Sequence, residues 1–71
     1  MVKIGIYQHF KGNFYKVIHV AKHSESEDFM VVYHPKNEPQ DIWVRPLLMF
    51  DETIVRQGKH IKRFKFISED L

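Results

Sequence analysis

The sequence predicts an all-β fold, a small barrel of five to six short strands with one short helical turn around residues 46–50. Three observations predict it. Apolar residues come in short runs bounded by glycine, proline, asparagine or acidic clusters. None of these runs keeps a 3.6-residue period for long enough to make a regular helix. Prolines at positions 35, 39 and 46 interrupt the middle of the chain, where a long element would otherwise have to lie.

The elements follow in order. Gly5 to Phe10 sets Ile6, Gln8 and Phe10 against Tyr7 and His9, the alternation of a half-exposed strand. Lys11-Gly12-Asn13 is a turn, because glycine and asparagine accept positive φ at low cost; a tight turn would set His9 opposite Tyr15. Phe14 to Ala21 is a second strand, with Phe14, Lys16, Ile18 and Val20 on one face and Tyr15, Val17, His19 and Ala21 on the other. Residues 22–28 are polar and rich in side chains that bond their own backbone, hence a loop. Phe29 to His34 is nearly all apolar, as in a strand buried on both sides. Residues 35–41 form a loop with two prolines.

Ile42-Trp43-Val44-Arg45 is a strand that stops at Pro46, which lacks the N–H a ladder needs. Leu47-Leu48-Met49-Phe50 is a helical turn that plugs one end of the core. Trp43, the lone tryptophan, is expected to be the central core contact, at about 3–5 kcal/mol on truncation to alanine. Ile54-Val55 leads through a turn at residues 56–59 to residues 61–67, which alternate basic and apolar residues as an edge strand does. A meander of hairpins with a one-turn helix before the last hairpin has the form of an SH3-type barrel.

Size and composition bound the rest. With 71 residues the chain is one domain, residues 1–71, with its core at about residues 5–67 and a frayed tail at residues 68–71. Apolar content of 44% fits a folded domain. There is no cysteine, which excludes disulfides and thiolate ligands and fits a reducing compartment. The first residues lack the apolar run of a signal peptide and no segment is long enough to span a bilayer, so a cytoplasmic protein is expected. A net charge of +2 does not by itself mark a nucleic-acid binder.

Once these segments are placed, a resemblance is visible. The runs Gly5-Ile6-Tyr7-Gln8-His9-Phe10-Lys11-Gly12-Asn13, Ala21-Lys22-His23-Ser24-Glu25-Ser26, Val31-Val32-Tyr33 and Trp43-Val44-Arg45-Pro46-Leu47-Leu48-Met49-Phe50 resemble, in order and spacing, the bacterial domain of unknown function 1653 family. The resemblance covers residues 5–67. It implies an SH3-type barrel in short stand-alone bacterial proteins or modules of longer ones, with no established activity. The polar family positions kept here are Tyr7, His9, Lys11, His23, Glu25, Tyr33 and Arg45. Members often carry a Leu-Tyr pair after the tyrosine of Val-Val-Tyr. This chain has His34-Pro35-Lys36-Asn37 there, so a ligand contact made by that pair would be missing or altered.

Catalysis has little to stand on, since there is no cysteine, no nucleophile elbow and no phosphate-binding glycine loop. A metal site from His9, His23 and Glu25 is opposed by distance. Eight residues separate Tyr15 from His23, about 26 Å of straight strand at roughly 3.3 Å per residue. No cofactor and no metal are therefore expected. The reading preferred is a non-catalytic binding or accessory module for a protein or peptide. His23, Glu25 and Arg45 would converge as a polar anchor, with Tyr7 and Tyr33 as aromatic neighbours and Trp43 in the same groove. The alternative is single-stranded nucleic acid, held by Lys11, Arg56, Lys59, Lys62, Arg63 and Lys65 with exposed aromatics as stacking platforms. Against it, the alternation of residues 61–67 puts Phe64 and Phe66 in the core and leaves the cations to solvate an edge strand.

Overall fold

Antiparallel pairing builds the molecule, mostly between chain neighbours and once between the first and last strands. The computed structural model describes residues 2–69. Its elements are β1 (Gly5–His9), β2 (Phe14–Lys22), β3 (Phe29–Pro35), β4 (Trp43–Pro46), α1 (Leu47–Phe50), β5 (Thr53–Arg56), β6 (Lys59–Lys62) and β7 (Phe64–Ser68). Five strands form one sheet in the order β4-β3-β2-β1-β7, and β5 and β6 form a separate hairpin. The fold is all-β, in two antiparallel sheets whose ladders do not close into one continuous barrel.

The strand count exceeds the expected five to six because residues 61–67 are not one strand. The chain leaves the β5–β6 hairpin at Arg63 and joins β1 instead. Arg63 N–H donates to the Glu52 carbonyl at 2.9 Å, and its own carbonyl accepts the Phe10 N–H at 3.0 Å. One residue thus ties the hairpin to the large sheet. The first turn is also wider than expected. Tyr7, not His9, faces Tyr15, because His9 N–H bonds the Asn13 carbonyl and Gly12, at φ +109°, returns an N–H to the His9 carbonyl. In β2 the register against β3 shifts between Val17 and His19. This bulge turns Val20 to the inner face, opposite Val31, where simple alternation puts it on the other side from Val17.

The core is Tyr7, Val17, Val31, Tyr33, Phe50 and Phe64. Phe50 stacks flat on Phe64 with centroids 4.1 Å apart, and Tyr7 and Tyr33 meet Phe50 edge-on at 5.2 and 5.4 Å. The plug is therefore half of what the apolar run promised. Phe50 is buried and Leu47 packs on the core, but Leu48 and Met49 face outward, since one helical turn points successive residues in different directions.

Trp43 is not the central core contact. It is 48% exposed, because β4 is the edge of the sheet and no strand lies beyond it to cover the ring. That centre is held by Tyr33, on the neighbouring strand, at 2% exposure. Ser68, expected in the frayed tail, pairs with Ile6 as the last residue of β7; residues 70 and 71 lie outside the described residues. No described helix is long and apolar enough to cross a membrane.

Candidate functional site

The inner face of the large sheet carries a row of aromatic side chains that runs from the core to the surface. Tyr33 is paired with Val17 on one side and Trp43 on the other, so the three side chains share a face. Tyr33 meets Tyr15 at 5.7 Å and Trp43 at 6.3 Å. Toward the edge, Tyr15, Pro35 and Trp43 line an open concavity of about 610 Å³ whose rim includes Asn13, Glu38 and Asp41. Its outer wall is the loop of residues 36–41, which two backbone bonds fold tightly. Glu38 N–H donates to the Pro35 carbonyl and Asp41 N–H to the Glu38 carbonyl, each at 3.0 Å. Among the described residues, neither the Glu38 nor the Asp41 carboxylate has a side-chain partner, and with Lys36 also lining the concavity its rim keeps an excess of one negative charge.

The other end of the row is cationic. Arg45 donates its Nε–H to the Tyr33 hydroxyl at 3.3 Å, and its guanidinium lies 5.6 Å above the Phe64 ring. His9 packs against the same ring at 4.9 Å and against Phe10 at 4.4 Å. Burial first, then the positive charges of Arg63, Lys11 and Arg45, hold the His9 pKa below the usual histidine range. Phe10 in turn is surrounded by Arg56, Lys11 and Arg63, at 5.0, 5.9 and 6.0 Å from its centroid.

The expected anchor residues divide into three places. Arg45 and Tyr33 do meet. His23 and Glu25 lie instead in the β2–β3 turn, where they serve the backbone. His23 Nδ1 accepts the N–H groups of Glu25 and Ser26 at 3.1 and 3.3 Å, and the Ser24 hydroxyl donates to the Glu25 carboxylate at 3.0 Å. These bonds stabilise a turn that holds Glu27 at φ +63°. β3 lies between β2 and Arg45, so two strand spacings, about 10 Å, separate the backbones. Arg45 also extends toward Tyr33 rather than toward the turn. Tyr7 is a core residue. Its hydroxyl accepts the Lys3 N–H and donates to the Lys3 carbonyl, and burial raises its pKa above the usual tyrosine value.

The basic stretch is partly spent. Lys62 pairs with Asp51 at 3.1 Å and Arg63 with Glu52 at 3.3 Å, while Lys59 and Lys65 are exposed. Phe64 is buried and Phe66 half-buried against the core, so neither offers a free face for a base. Among the described residues, no three histidine or carboxylate side chains gather as metal ligands. Sequence reasoning put Trp43 at the centre of the core, with a groove as its second place, and missed that His9 packs on the same ring as Arg45. The first signal was present: Trp43 and Arg45 are two apart on one strand, so a half-exposed Arg45 implies a Trp43 near the same surface.

The model of the family described as "Protein of unknown function (DUF1653)" matches residues 5–66. A crystal structure of a protein of the same family from Bordetella bronchiseptica superimposes with a TM-score of 0.81 at 25% identity, over 93% of this chain and 87% of that one. No curated protein matches the chain. With the match spanning all seven strands but the end of the last, the chain belongs to the DUF1653 family.

Proposed function

We propose that the chain is an SH3-type barrel acting as a non-catalytic peptide-binding module, with the Trp43 concavity as its docking groove. Two features support the barrel. The one-turn helix α1 falls between β4 and β5, and the paired bonds through Arg63 draw the β5–β6 hairpin onto β1. The observation that carries the binding reading is the half-exposed indole beside Tyr15 and Pro35, under a rim of unpaired carboxylates. A large ring left in water beside other apolar surface gains by being covered. Charge complementarity defines the occupant as an extended peptide that lays a proline or aliphatic side chain on Trp43 and turns a lysine or arginine toward Glu38 and Asp41.

The test is an NMR titration with proline-containing peptides that differ only in one lysine or arginine. The expected result is movement of the Trp43 indole signal, stronger with the basic peptide and weaker as salt is raised. Trp43→Ala, still folded, should abolish the accompanying peptide-induced shifts of the Asn13 and Tyr15 backbone amides, which also line the groove. If no peptide of either kind moves the indole signal, the reading fails. A second reading, single-stranded nucleic acid, is favoured by the gathering of Lys11, Arg56 and Arg63 around Phe10. Oligonucleotide binding that collapses as salt rises would support it over the peptide. A bacterial cytoplasmic setting accords with the cysteine-free sequence and with the family resemblance.

A further inference from the structure

Arg45 is a half-buried cation without a counter-ion. Its Nε–H is spent on Tyr33 and its plane rests on Phe64, and among the described residues no carboxylate pairs with it. Charges withdrawn from water ordinarily keep an opposite charge beside them. The next cation, Arg63, does, in Glu52. His9 stands against the same Phe64 ring as Arg45. Its Nδ1 accepts the Lys11 N–H at 3.1 Å, so the neutral imidazole carries its proton on Nε2 and is a donor there. The charged groups felt by His9 are Arg63, Lys11 and Arg45, all positive.

We propose that Arg45, His9 through Nε2, and Lys11 form a binding site for a carboxylate. Among the described residues the two Nη groups of Arg45 have no partner, and they present parallel donors that fit the two oxygens of one carboxylate. With Arg63 already paired to Glu52, Arg45 is the half-buried cation left to bind, and its planar fork matches the two oxygens of a carboxylate. Lys11 is exposed and adds attraction from the rim. The site adjoins the Trp43 concavity, but none of its three residues lines that groove; the carboxylate can come from a chain terminus or from an acidic side chain.

The probe is acetate. The His9 imidazole is titrated by NMR in sodium chloride, sodium acetate and sodium phosphate at equal ionic strength. An anion held beside His9 favours its charged form, so acetate should raise the His9 pKa above its value in chloride. By linkage, each unit of that rise means about tenfold tighter acetate binding to the protonated protein. Arg45→Gln should abolish the difference between acetate and chloride. Lys11→Gln, at an exposed position where folding is not at issue, should weaken acetate binding about threefold. Lys65→Gln should leave it unchanged. Equal shifts in acetate and chloride would mean screening alone and overturn the site. A response to phosphate but not to acetate would overturn the carboxylate assignment, and a loss in Lys65→Gln matching that in Lys11→Gln would overturn its location. Acetate is read at His9 and the peptide at Trp43, so a negative peptide titration and a negative acetate titration are separate results.

Discussion

At the scale of single residues, two rings on the inner face have exchanged the roles their size suggests. Phe50 is 1% exposed and stacked on Phe64, whereas Trp43 keeps nearly half its surface in water. Phe50→Ala should therefore cost about 3–5 kcal/mol, and Trp43→Ala, with about half the ring already solvated, about 2 kcal/mol. A chain of this size has a margin of about 4–10 kcal/mol, so urea denaturation should find Trp43→Ala folded and Phe50→Ala close to unfolding. His9 gives a prediction in pH. Its folded pKa lies below the unfolded value, so the unfolded chain binds the proton more readily. Its contribution is complete above the unfolded pKa of about 6.5 and is lost as pH falls from there through the folded value. Melting temperature should drop over this range, and His9→Gln should flatten the drop; an unchanged slope would remove His9 as the cause.

At the scale of elements, turn chemistry decides what the alternation of residues cannot. Gln57 and Gly58, at φ +53° and +77°, give the β5–β6 hairpin two consecutive positive-φ residues, the pattern of a type I′ turn. Asparagine tolerates the first of these positions better than glutamine, so Gln57→Asn should stabilise the protein by about 0.5 kcal/mol in thermal melts. Gly5 has the opposite constraint. At φ +152° its missing Cβ leaves room for the Ser68 carbonyl and the Phe66 ring on β7. Gly5→Ala should cost about 1–3 kcal/mol and loosen the β1–β7 pairing first, seen as faster amide exchange in β7. The first four strands and the helical turn were legible in the sequence, because each is a short apolar run with its own breaker; the split of residues 61–67 into β6 and β7 was not, since one basic–apolar alternation runs through both. The bulge in β2 was not, since Val17-Ile18-His19-Val20 reads equally well with either register. Nor was the turn role of His23, because an imidazole that caps two backbone amides has the same spacing to Glu25 as one that shares a ligand.

At the scale of the whole molecule, the question is whether the hairpin and the large sheet behave as one body. The sequence cannot state this, because the link is a pair of backbone bonds through Arg63 and backbone bonds have no residue signature. The same holds for the site: Tyr33 and Arg45 were legible as partners, but the covering of Trp43 depends on which strand ends the sheet. The Arg63 junction also carries strain in its polar groups. Among the described residues its side-chain Nε is buried with no hydrogen-bond partner, while Nη2 reaches out to Glu52. A junction that leaves a buried donor unsatisfied persists only if both sheets hold it in place. Hydrogen exchange reads this directly. If the barrel closes as one cooperative unit, the Arg63 and Phe10 amides should exchange only through global unfolding, at rates set by the same free energy as Tyr33 and Val31. Glu52→Gln should then lower all four together. If Arg63 and Phe10 exchange much faster than the two core amides, the hairpin opens alone, and the molecule is a five-stranded sheet with an appended ribbon rather than an SH3-type barrel.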